Sequence, residues 1–195
     1  MNRIQMMALA IVFLMTPTLA WAEGGTKEGY RQGKKEEMQE YRKQQKEENQ
    51  AFRQTLKDMT PEERVAAIKV HRQEQYQENL TFSQKMYDEH LARLKEKLAG
   101  NAELTDAQKT EIISRFETKH QEKTAYRQQK HEENMVYFEK IVSDPNLTQE
   151  QKKEAMKTYW KAQKAEGKQH RETEKAKHKA FRDKMHSEVK SQNLT

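Results

Sequence analysis

One helix-start phrase occurs three times along this chain at nearly constant spacing, and nothing else constrains the fold as strongly. The copies are Met59-Thr60-Pro61-Glu62-Glu63, Leu104-Thr105-Asp106-Ala107-Gln108 and Leu147-Thr148-Gln149-Glu150-Gln151, with first residues 45 and 43 positions apart. In each, a threonine precedes a Glu or Gln by three residues. Its hydroxyl can then accept from a free backbone N–H of the first turn while the acid or amide reaches back to the threonine's own N–H. The text before each start recurs as well: Leu94-Lys95-Glu96-Lys97-Leu98 matches Tyr137-Phe138-Glu139-Lys140-Ile141, and Tyr41 to Asn49 echoes Tyr126 to Asn134. The chain reads as a helical module used about four times.

A short leader precedes this array. Met1-Asn2-Arg3 is a positive start, Met6 to Met15 is an unbroken apolar run, and Ala20-Trp21-Ala22 is a small-x-small cleavage signal. The run is broken by Thr16 and Pro17, well short of the ~20 residues a spanning helix needs, so it reads as a signal peptide cleaved after Ala22. Residues 1–22 are thus expected to leave, and 23–195 to form a single helical, repeat-like domain of an exported protein. The chain contains no cysteine, so thiol chemistry, disulfides and Cys-based metal sites are excluded.

Hydrophobic residues make up 33% of the chain and charged residues 35%, too few of the first for a thick interior. The rest is rich in Glu, Lys, Gln, Arg and Ala, all strong helix formers. The expected fold is all-α, with about four long antiparallel helices in a thin, elongated bundle or cradle. They are expected at about Gly29 to Lys57, Pro61 to Ala99, Asp106 to Val142 and Gln149 to about Lys190. Short joints favour antiparallel neighbours. Gly167 and the stretch Asn79 to Ser83 are the expected places for a kink or a helix end.

Apolar residues gather near the joints, as in Leu91, Leu94, Leu98, Ile112, Ile113 and Phe116 around the second. The helix centres are polar: from Glu117 to Asn134 the only large apolar side chain is Tyr126, and from Arg72 to Asn79 it is Tyr76. Two apolar caps joined by a polar waist are expected. The waist would be solvated, open as a groove, or closed by a second subunit. A homodimer is the preferred expectation, because a thin helical layer buries its leftover apolar face against another copy of itself.

Leu104, Thr105 and Gln108, with Leu147, Thr148 and Gln151, form two intact Leu-Thr-x-x-Gln motifs 43 residues apart. Following a cleavable leader in a cysteine-free, charged, helical chain, they resemble the Spy/CpxP family of periplasmic proteins. The resemblance implies a cradle-shaped antiparallel dimer. It also implies ATP-independent chaperone activity in one branch, envelope-stress sensor regulation in another and zinc-linked behaviour in a third.

No nucleophile elbow and no phosphate-cradling glycine loop occur, so an enzyme is not expected. No cofactor is required. Glu117-x-x-His120 has the spacing of carboxylate-bridged di-metal bundles but stands alone, since such a site needs a second copy and further glutamates. Loose zinc or copper binding through His170, His178 and His186 is the weaker metal alternative. Six methionines remain after the leader, scattered as packing filler. Charge is uneven: Lys152 to Lys190 holds 13 Lys and Arg against 6 Asp and Glu. This basic stretch points to anionic lipid headgroups, envelope polymers or acidic clients rather than nucleic acid, or else to a solvated face.

The function expected from these features is that of a periplasmic chaperone-like protein. It would bind exposed apolar segments of unfolded or misfolded envelope proteins through Tyr76, Phe116, Tyr126 and Trp160. One alternative is an envelope-stress or zinc-responsive regulator that binds a sensor kinase's periplasmic domain. A second is a coiled-coil spacer.

Overall fold

The computed structural model describes residues 27–192, so the leader and its cleavage site after Ala22 lie outside the described residues. Four α-helices follow one another: α1 (Lys27–Thr55), α2 (Pro61–Ala99), α3 (Asp106–Ser143) and α4 (Gln149–Gln192). A single 3₁₀ turn, Leu56–Asp58, follows α1, and no strand occurs among the described residues. The chain is all-α, and no described helix is long and apolar enough to cross a membrane. It divides into two compact units, one ending at Gln54 and the other beginning at Thr55.

All three expected helix starts are reciprocal capping boxes. The Thr60 hydroxyl accepts from Glu63 N, and Glu63 accepts from Thr60 N at 2.9 Å. Thr105 and Gln108 repeat the exchange at 3.2 and 2.9 Å, and Thr148 and Gln151 at 3.3 and 2.8 Å. Each box satisfies an otherwise orphaned N–H of the first turn, which fixes where the helix begins. Glu63 is held below the usual carboxylate range by its hydrogen bonds from the Thr60 backbone and hydroxyl.

Neither expected interruption ends a helix. Through Asn79 to Ser83 the helix continues, and its polar side chains are accommodated by bonds back to the preceding turn. Asn79 Nδ2 donates to Gln75 O at 2.6 Å, and Thr81 Oγ1 donates to Gln77 O at 3.0 Å. Gly167 lies inside α4, where a β-carbon would meet Arg171 Nη1 at 3.6 Å and the Tyr126 hydroxyl at 4.0 Å, ordinary contact distances.

In the unit from Thr55 onward, the buried apolar side chains are Met86, Leu98, Phe138, Ile141 and Met185. Leu98 and Met185 belong to the end near the α2–α3 joint, Phe138 and Ile141 to the end near the α3–α4 joint. The apolar material is thus concentrated toward the helix ends.

Candidate functional site

The polar centre of α2, α3 and α4 is filled by stacked rings rather than by aliphatic side chains. Tyr76 of α2 lies on His131 of α3, with ring centroids 3.9 Å apart and planes 6° from parallel. Tyr87 lies on His120 at 3.8 Å, and Phe116 extends that stack at 5.5 Å from Tyr87. Between α3 and α4, Tyr126 lies on His170 at 3.7 Å and Tyr137 on Tyr159 at 3.8 Å. Each pair presents one flat face to its neighbour and keeps a polar edge free to hydrogen-bond, which suits a seam too narrow for a full core.

These pairs obey a single period. Tyr76 and Tyr87 are 11 residues apart, as are His120 and His131, Tyr126 and Tyr137, and Tyr159 and His170. Eleven residues make three turns at about 3.67 residues per turn, so each step returns to the same side of the helix. As residue numbers rise along α2 they fall along α3, and the same holds between α3 and α4.

Hydrogen bonds repeat with the rings. His131 Nε2 lies 2.8 Å from Gln73 Oε1, and His120 Nε2 lies 3.0 Å from Gln84 Oε1. Gln73-x-x-Tyr76 and Gln84-x-x-Tyr87 are therefore two copies of one clamp, in which the tyrosine holds the imidazole's face and the amide its edge. An amide oxygen only accepts, so in each clamp it is the histidine tautomer carrying its proton on Nε2 that makes the bond. Burial holds His131 below the ordinary histidine value; Arg72 pushes the same way and Glu132 opposes. His120 is lowered by burial and then by Lys123 and Arg127, against Asp88.

Ion pairs flank the seams. Lys69 meets Glu139 at 2.8 Å, and Lys184 meets Glu111 at 2.6 Å. Lys130 lies between Glu133 and Glu166. Crowding lowers its ammonium, but the hydrogen bonds it donates to both carboxylates outweigh that and hold it above the usual lysine range.

The expected client-binding aromatics take different positions. Tyr76, Phe116 and Tyr126 are half-buried in the stacks, whereas Trp160 is 39% exposed, edge-on to Tyr159. The Arg72 guanidinium lies 4.2 Å from the Phe138 ring centroid and 5.5 Å from that of Trp160. Val70 and Val136 are exposed at 57% and 69%. By the register of the pairs above, Val70, Val136 and Trp160 stand at one level of α2, α3 and α4, beside the Tyr137–Tyr159 stack.

The motif residues serve the caps: Gln108 is buried, Leu104 and Leu147 are half-buried, and Thr105, Thr148 and Gln151 are exposed. Of the metal candidates, His120 and His170 are ring partners, and Glu117 lies 4.0 Å from Lys95. His178 is exposed. No group of three or more His, Asp or Glu placed to hold a metal ion occurs among the described residues. The sequence reading missed the roles of His131, Tyr87 and the two glutamines, while Tyr137 and Tyr159 meet at the third joint, where their apolar stripes were expected to come together. The recurrence at 11 residues was the available signal. Compared with known proteins, the chain matches no family model, no curated protein and no solved structure.

Proposed function

We propose that this chain is an exported holding protein of the periplasm that binds exposed apolar segments of unfolded or misfolded envelope proteins, without nucleotide and without covalent chemistry. One observation carries the reading: Val70, Val136 and Trp160 are exposed at the same level of three adjacent helices, in a chain whose interior is sparingly apolar. Single exposed apolar residues are ordinary, but several at one level give a client more than one foothold. Lysine and glutamine stems around the band can cover further apolar client surface while their heads stay in water. The alternating run of α2, α3 and α4 suits an antiparallel cradle, and a homodimer of such cradles would enclose a client from two sides.

The test is suppression of light scattering by a model unfolding protein, with and without zinc. Replacing Val70 and Val136 together by Ser should weaken suppression several-fold. Because both side chains are exposed, the melting temperature should hardly change. Unchanged suppression by the double variant would refute this binding surface. Suppression that appears only with zinc would favour the metal-responsive alternative.

A further inference from the structure

Many charged side chains within these helices pair locally. Lys34 pairs with Glu37, Lys130 with Glu133 and Lys157 with Glu154, all within a turn. A groove of about 400 Å³ between α3 and α4 departs from this pattern. Lys119 and Lys123 line one wall, and Arg171, Lys175, Lys179 and Arg182 the other. Lys119, Lys123, Arg171 and Arg182 have no carboxylate partner among the described residues. Lys175 and Lys179 are held by Glu172 and Asp183. The single acid on the groove wall, Glu174, is engaged by Lys177 at 2.7 Å. Like charges one turn apart destabilise a helix. Here two such rows face one gap, and an anion between them would relieve that repulsion. The crowding is felt at Lys123, whose ammonium is lowered by the protein packed around it and then by Arg127 and Lys119.

The groove opens into a second cavity of a different character. Leu94, Ile112, Phe116, Phe181 and Met185 line about 350 Å³ at the end near the α2–α3 joint. Lys119, His178 and Arg182 border both spaces. Each volume falls within the ~300–1,000 Å³ of small-molecule sites. A cationic trough continuous with an apolar pocket matches a ligand that is anionic at one end and hydrocarbon at the other.

We propose that this double cavity binds an anionic amphiphile, with a phosphate headgroup among Lys119, Lys123, Arg171 and Arg182 and a single acyl chain against Phe116, Phe181 and Met185. The site is independent of the apolar band at Val70, Val136 and Trp160 and does not rest on the chaperone reading. Phosphate suits the trough because guanidinium groups bind its oxygens bidentately and lysines act as point charges.

The experiment is calorimetric titration of the full mature chain with lysophosphatidic acid below its micelle concentration, set against lysophosphatidylcholine and against tripolyphosphate. Lysophosphatidic acid should bind one per chain, at least about tenfold tighter than either control, because only it satisfies both cavities. Lys119→Glu with Lys123→Glu should abolish that preference. A shorter acyl chain should weaken binding to the unaltered protein, a readout that needs no substitution in the apolar pocket. Equal binding of tripolyphosphate would reduce the site to an anion trough, and equal binding of lysophosphatidylcholine would remove the role of charge. Either result overturns the proposal, as does full affinity in the double variant. If no lipid binds and Phe181→Gln dissociates a dimer, the pocket belongs to a second copy of the chain and the proposal fails.

Discussion

Removing one clamp ring gives the sharpest test of the stacked seam. In His131→Ala, Tyr76 loses its parallel partner and Gln73 its 2.8 Å hydrogen bond. The stack contributes about 0.5–1.5 kcal/mol beyond area burial, and the hydrogen bond about as much. The expected loss is therefore about 1–3 kcal/mol. For a cooperative unit of this size that is about 3–9 °C in Tm, at about 3 °C per kcal/mol. His131→Phe separates the terms, since it keeps a flat ring on Tyr76 while deleting the hydrogen bond, and it should cost about half as much. The assay is a reversible thermal melt followed by circular dichroism, completed as a double-mutant cycle with Tyr76→Ala. The cycle should return a coupling of about 0.5–1.5 kcal/mol. The same cycle at Tyr87 and His120 should be additive with the first, because 11 residues place the layers about 16 Å apart along the helix. A loss at His131→Ala within the roughly 0.5 kcal/mol typical of surface substitutions, with no coupling to Tyr76, would refute the seam as a stabilising element.

Three further expectations follow from the same geometry. Thr105→Ala and Thr148→Ala should each cost about 0.5–2 kcal/mol in a melt, and Thr→Ser far less, because serine can still cap; equal, negligible effects would show that these hydroxyls do not start helices. His120 and His131 are held below their unfolded value of 6.5, so the fold binds fewer protons than the unfolded chain. Their contribution is fully present above pH 6.5 and is lost as pH falls from there through the lowered folded values. Tm should accordingly decline on that acid side before the carboxylates titrate, and a His120→Gln, His131→Gln variant should show a flatter profile; an unchanged slope would contradict the neutral, buried rings. Light scattering at micromolar concentration should report a dimer, and a cleanly melting monomer would remove the two-subunit cradle.

The helix boundaries were legible almost to the residue. The threonine boxes at Thr60, Thr105 and Thr148 are exchanges between a residue and the third one after it, and such a contact needs no other part of the chain. The concentration of apolar residues near the joints was legible for a related reason, since spacings of three and four put them on one stripe wherever the helix goes. The ring pairs of the waist were not legible, because a hydrophobic pattern counts each tyrosine and histidine singly and says nothing of which ring it meets on another helix. Tyr76, Tyr126, His120 and His170 therefore looked like isolated aromatics and stray metal candidates.

Helical class, cap positions and the basic excess of the last helix are properties of neighbouring residues, and the amino-acid order alone determined them. Which ring meets which, and whether Lys119 and Lys123 confront Arg171 and Arg182 across one groove, depends on the register between helices. That register is a choice among non-local pairings, each repeating every 11 residues, and only simultaneous packing of α2, α3 and α4 selects one. Local hydrogen bonds name the helices, while the stacks and the facing cations exist only once those helices lie side by side.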